Sequence, residues 1–366
     1  MAVFIPGIEL SRRLYLEAVR PILDRHFPDL PHAAAHVGSG SDVLGYDTEM
    51  SSDHFWGLAV HLFLRTADAD LKDAIHRLMG EELPLEIAGY PVGYGDSEAE
   101  AGMDVMRRTS ARPLRHHVWA MTVEAFLENT LHWTPGEGLT AADWLSFPQQ
   151  NLLEVTAGAV HFDGVGEITS MRDRLAWYPH DVWLYLMACG WQRIGQEEHL
   201  MPRAGYVGDE LGSALIGSRL VRDVMSLCFL MERRYAPYPK WFGTAFARLS
   251  CAGEMTPLLR RAQGAATWQE REQALGEAFS ALARRHNRLG VTPPLPENPS
   301  PFFGRPFQVI HGSDFAAALL AAITDPEVQG IASRGRIGSI DQFSDSTDLH
   351  EAGHLRSVVR QLYNML

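Results

Sequence analysis

Cysteine is scarce in this chain of 366 residues: Cys189, Cys228 and Cys251 are the only three, and no two form a C-x-x-C pair. Widely spaced thiols in odd number exclude a disulfide framework, and buried thiols in a reducing compartment are expected. Positive charge is also short. Lys and Arg total 32 against 45 Asp and Glu, a formal net charge of −13. Broad, nonspecific nucleic-acid binding is thereby excluded, because it draws on counterion release by a basic surface. No run reaches the roughly 18 apolar residues that a membrane span needs. The leading MAVFIPGIELSRR breaks its apolar stretch with charge too early for a signal peptide. A cytoplasmic protein with no membrane or nucleic-acid partner is expected. Repeats with a period of roughly 20–50 residues are absent as well, which excludes a solenoid.

Apolar residues make up 46% of the chain, enough for a substantial core. Over the first 138 residues helical and extended patterns alternate. The spacing of Leu10, Leu14, Val19, Ile22 and Leu23 predicts a helix over 8–27. AAAHVG, 33–38, reads as a strand entering a turn, and HFWGLAVHLFL, 54–64, as a buried strand. A helix is expected over 68–79, an irregular edge over 84–95, and a strand over 116–123 running into another helix. Beyond residue 138 nearly every segment has helical period. The expected fold class is therefore α+β, with a small mixed-sheet domain over 1–138 and a mostly helical domain over 139–366.

The segment GSGSDVLGYDTEMSSDHFWG, 38–57, carries the most chemistry. A tight Gly-Ser turn offers backbone N–H groups to a phosphate, and Gly40 and Ser41 are the candidates. Ser52 and Asp53 follow, and Asp53 is the expected first carboxylate for Mg²⁺ at the mouth of a strand. A second carboxylate belongs two positions later, where Phe55 stands. A phenyl ring cannot coordinate Mg²⁺. Asp47 and Glu49 form a D-x-E pair upstream that offers metal oxygens in another register. His54, beside Asp53, suits general acid–base work. On the strand 116–123, His117 and Trp119 share one face by alternation; with Phe55 and Trp56 they outline an apolar substrate pocket.

Three further groups stand out. QEEHLMPRAGYVGDELGS, 196–213, holds Glu198, a candidate base, Arg203, a candidate phosphate ligand, and Asp209, read as a helix N-cap. MERRYAPYPKW, 231–241, interleaves Arg233, Arg234 and Lys240 with aromatic rings, and Lys240 is a candidate phosphate ligand. HEAGH, 350–354, fits a zinc-protease pattern, but Gly353 weakens the helix and no third ligand follows.

The Gly-Ser turn followed by Ser-Asp resembles nucleotidyltransferases of the kanamycin nucleotidyltransferase type. More closely, IPGIELSRRLY, LAWYPHDVWLYLMACGWQRI, RAGYVGDELGS, LCFLMERRYAPYPKWFGTAF and IGSIDQFSDSTDL resemble the bacterial family called domain of unknown function 4037. The resemblance implies a nucleotidyltransferase-like mixed sheet with a helical domain behind it. It also implies transfer of a nucleoside monophosphate from an NTP, with Mg²⁺, to a small hydroxylated acceptor, and a helical-domain carboxylate such as Glu198 as base. Phe55 departs from the pattern. The alternatives are metal-free acid–base chemistry on a small biosynthetic substrate, or a non-catalytic binding protein.

Overall fold

The computed structural model describes residues 4–53, 56–96 and 104–365. The chain divides into two units: 1–138 with 151–176, and 139–150 with 177–366. The first is built on four strands, β1 (His32–His36), β2 (Ala59–Leu64), β3 (His117–Met121) and β4 (Ala159–Asp163), in the order β3-β2-β1-β4. β1 runs antiparallel to both β2 and β4, and β2 runs parallel to β3. The second unit is almost wholly helical, so the fold is α+β.

Period-2 alternation separates the two faces of the sheet. Ala34, Val60, Leu62, Leu64 and Val118 point into a core with Leu10, Leu14, Val19, Ile22 and Leu23. Those last residues lie on α1 (Gly7–Leu14) and its continuation through Tyr15–Val19 and Arg20–His26. The Tyr15–Val19 turn is a π-helix, and the Arg20 N–H bonds back to Tyr15 O. Pro21 has no N–H to give, so the ladder widens where it would break in any case. α2 (Lys72–Glu82) follows a 3-10 stretch, and α3 (Val123–Leu131) starts at Thr122, whose hydroxyl accepts from Ala125 N at 3.1 Å.

Three expectations change. The strand expected from residue 54 begins at Ala59, because Gly57 takes φ 98°, outside the extended region. The backbone of Glu49–Asp53 forms a 3-10 turn, so Asp53 does not open a strand. β4 was unforeseen: AVHFD is too short and too half-buried to show a period, yet it pairs with β1 and draws 151–176 back into the first unit.

In the second unit, DWLSFPQQNLLEV is interrupted after α4 (Ala141–Ser146). Phe147 precedes Pro148 and is forced to an extended ψ of 124°. α5 (His180–Glu197) crosses α6 (Glu210–Met231) closely at Gly190, where a methyl group would come within 2.8 Å of Leu227. Trp191 of α5 donates to His286 Nδ1 of α7 (Trp268–Leu289) at 3.2 Å. Its ring stacks on Phe315 of α8 (Gly312–Ala321) with centroids 4.2 Å apart. α7 opens on a capping box of Thr267 and Glu270 and closes on Gly290 at φ 66°. The HEAGH segment does not form one helix. Thr347–Glu351 ends, Ala352 leaves helical geometry, and a 3-10 turn begins at Gly353.

Candidate functional site

β1 delivers the chain into the turn 38–45. Gly38 and Gly40 hold φ of 94° and 146°, which a side chain would resist. Gly38 N donates to Glu154 O at 2.8 Å, and the turn closes through Tyr46 N to Ser41 O at 2.8 Å. Among the described residues, nothing accepts from the amides of Gly40 and Ser41. The next residue, Asp42, is buried. Its Oδ2 lies 2.9 Å from His36 Nε2 and accepts from Gly57 N at 3.1 Å, and its Oδ1 accepts from Val43 N at 2.9 Å. Burial pushes this carboxyl upward, but His36 and the two amides outweigh it and hold it below its usual range. The second nitrogen of His36 faces Ala59 O at 3.1 Å.

The face opposite the α1 core carries His61 and Phe63 from β2 and His117, Trp119 and Met121 from β3. The parallel register sets His61 beside Trp119. His117 is sandwiched: Tyr94 stacks on it at 3.6 Å and Trp119 at 4.8 Å. Its Nε2 lies 3.3 Å from Asp104 Oδ2. Asp104 comes from the ribbon in which Tyr94–Asp96 pairs with Asp104–Met106, and Arg115 bridges its two strands, 2.7 Å from Asp96 and 2.5 Å from Asp104. Burial lowers the His117 pKa, and the Asp104 carboxylate opposes that. Sequence reasoning found His117 and Trp119 by alternation. It missed His61, which the same alternation exposes, and Asp104, which only tertiary pairing brings in.

Of the expected metal ligands, Asp47 is engaged within the fold. Asp47 Oδ2 accepts from Gly7 N and from Trp56 Nε1, each at 2.8 Å. Trp56 is therefore no pocket rim; it is buried in the core between Phe4 and Tyr90, with centroids 5.5 and 5.6 Å away. Glu49 is exposed on its 3-10 turn. His54 and Phe55 lie outside the described residues, as do the side chains of Ser52 and Asp53. Asp42, Asp47 and Asp104 do not suit magnesium as they stand: Asp42 is ringed by donors, Asp47 shares one oxygen between two N–H groups, and Asp104 is paired with Arg115. Among the described residues no three His, Cys, Asp or Glu side chains are grouped to hold an ion.

The remaining candidates belong to the second unit. Glu198 is buried and receives Ile310 N at 2.6 Å and Gly312 N at 3.0 Å, capping the start of α8. Both oxygens are engaged with backbone, which corrects its reading as a base. Burial raises its pKa to about 7 against the pull of those amides. Arg203 is exposed on the helix Leu200–Tyr206, and Lys240 Nζ sits 5.1 Å above its neighbour Trp241. Asp209 is an N-cap, accepting from Gly212 N at 2.8 Å.

The profile of the family described as Domain of unknown function (DUF4037) matches residues 144–242. That is narrower than the nearly whole-chain resemblance read from the sequence. No curated protein matches. A solved structure, the nucleotidyltransferase-like protein from Exiguobacterium sibiricum 255-15, is 11% identical. The alignment covers 74% of this chain and 75% of that one, with a TM-score of 0.32.

Proposed function

We propose that the chain is a nucleotidyltransferase-type enzyme that moves a nucleoside monophosphate from an NTP to a small hydroxylated acceptor. The observation that supports this best is the pair of unpartnered amides, Gly40 and Ser41, in the turn that leaves β1. Amides presented by such a turn suit phosphate oxygens. The His117–Asp104 pair, on β3 and the ribbon, supplies a proton acceptor. With Asp104 accepting from Nε2–H, Nδ1 keeps its lone pair. In this reading the acceptor hydroxyl attacks the α-phosphorus and its proton passes to His117 Nδ1. The bond from that phosphorus to the bridging oxygen breaks, and pyrophosphate leaves. No step is assigned to a metal.

Calorimetry with ATP, GTP, CTP and UTP, each with Mg²⁺, with Mn²⁺ and with chelator, tests the reading. Micromolar binding of at least one NTP is expected, with pyrophosphate release when pooled hydroxylated metabolites are added. Binding of none under any condition overturns it.

A second reading is metal-free acid–base chemistry on a small aromatic substrate. It is favoured by the stacked rings of Tyr94, His117 and Trp119, against which His61 leans at 36°. Uptake of an aromatic metabolite without any NTP binding would select it.

A further inference from the structure

His61, on the sheet face opposite the α1 core, has unused hydrogen-bonding capacity. Its Nδ1 is shut away from solvent without a partner, and among the described residues neither ring nitrogen makes a hydrogen bond. Buried nitrogens of this kind are rare, because the lost hydration is not repaid. The ring is held firmly by Trp119 at 4.8 Å, Phe126 at 5.7 Å and Phe63 at 6.2 Å. It also lies directly beneath the turn: a methyl group on Gly38 would stand 3.7 Å from His61 Cε1, the carbon between the two nitrogens. The orphaned nitrogen and the unpartnered amides therefore belong to one small region.

We propose that His61 is a positioning residue for the phosphoryl group received by the 38–45 turn, meeting one of its oxygens through an imidazole N–H. The inference rests on the phosphate-binding reading of that turn. Its chemistry is complementary, since a phosphoryl oxygen only accepts and a neutral imidazole always has one N–H to donate. The ring stays neutral when the site is empty. Burial, with His36 and His117 close by, drives its pKa down to about 3. Of the charged groups nearby, Asp42 pairs with His36 and Asp104 pairs with His117 and Arg115. A neutral donor adds direction to the site without adding charge, which places the phosphoryl group over β2.

The test is calorimetry of the full chain with inorganic triphosphate and with ATP, comparing wild type with His61→Phe and His61→Leu, neither of which has a donor. Both substitutions are expected to weaken both ligands about tenfold or more, as loss of a hydrogen bond to a charged group does. If the wild type binds and both folded variants bind within twofold of it, this inference fails while the phosphate-binding turn stands. If the wild type binds neither ligand, the turn reading fails and takes this inference with it. Should the variants not fold, the wild type crystallised with triphosphate decides. A phosphoryl oxygen within about 3.2 Å of a His61 nitrogen is expected. A triphosphate on the turn with no oxygen within about 4 Å of that ring overturns the proposal.

Discussion

His117 and Asp104 meet at 3.3 Å although they arrive on different elements, the parallel strand β3 and the Tyr94–Met106 ribbon. The carboxylate fixes which nitrogen carries the proton, and Tyr94 at 3.6 Å fixes the plane of the ring. A histidine so held has one orientation and one tautomer, which is what proton transfer at a defined atom requires.

Replacing Asp104 with Asn removes the charge that favours the imidazolium. Burial already holds the His117 pKa low, and Asp104 is the group that opposes it. In Asp104→Asn the His117 titration, followed by NMR of the imidazole carbon protons, moves to lower pH. Any turnover found falls about 10²-fold or more, and the acid limb of its pH profile moves the same way. An unchanged titration would remove Asp104 from the site.

Gly7, at the start of α1, touches Asp42: a methyl there would stand 2.3 Å from Asp42 Oδ2. Gly7→Ala must therefore displace the carboxylate that pairs with His36. A loss of about 2 kcal/mol in urea unfolding is expected, the usual cost of overpacking. Triphosphate affinity, read in parallel, drops with it because the turn that contains Asp42 is disturbed.

Glu198 links stability of the second unit to pH. Its folded pKa is raised, from 4.5 to about 7, with burial as the main cause. Between those values the folded chain holds a proton that the unfolded chain has released, so stability falls as pH rises through the window. The gap corresponds to about 3 kcal/mol. Glu198→Gln stays neutral and should lack this slope. Urea melts at pH 5 and pH 8 give the comparison, and parallel slopes for wild type and variant would refute it.

Trp56→Phe keeps the ring in the core but deletes the indole N–H that Asp47 accepts at 2.8 Å. Gly7 N still reaches the same oxygen. The expected cost is about 1–2 kcal/mol in thermal or urea unfolding, the value of one hydrogen bond to a carboxylate. A neutral result would mean that Asp47 is satisfied by Gly7 alone.

The helices were legible from their apolar period. The structure adds the ends: Thr267 with Glu270 and the closing Gly290 delimit α7. The strands β1 to β3 were legible from their apolar runs, within a few residues. β4 was not, because Ala159–Asp163 has neither length nor full burial, and its reason for being extended is an unfilled edge of β1. The site divides in the same way. Gly40, Ser41, His117 and Trp119 follow from local pattern, since a turn and a strand face are local objects. Asp104 does not, because its meeting with His117 is tertiary. Glu198 misled because an acid between two helices looks available until its two backbone donors are seen.

The central strand of the first unit is also the one that waits longest. During synthesis β1 can pair with β2 early, but its other edge stays open until Ala159–Asp163 emerges, about 120 residues later. At cellular rates of about 5–20 residues per second, that interval lasts roughly 6–25 s. An exposed edge is a template for unwanted pairing between nascent chains. β1 reads His-Ala-Ala-Ala-His, and alanine is among the weaker strand formers. The composition that makes β1 a modest strand in isolation also makes it a poor seed for aggregation on the ribosome, and it becomes a firm strand only when both neighbours have arrived.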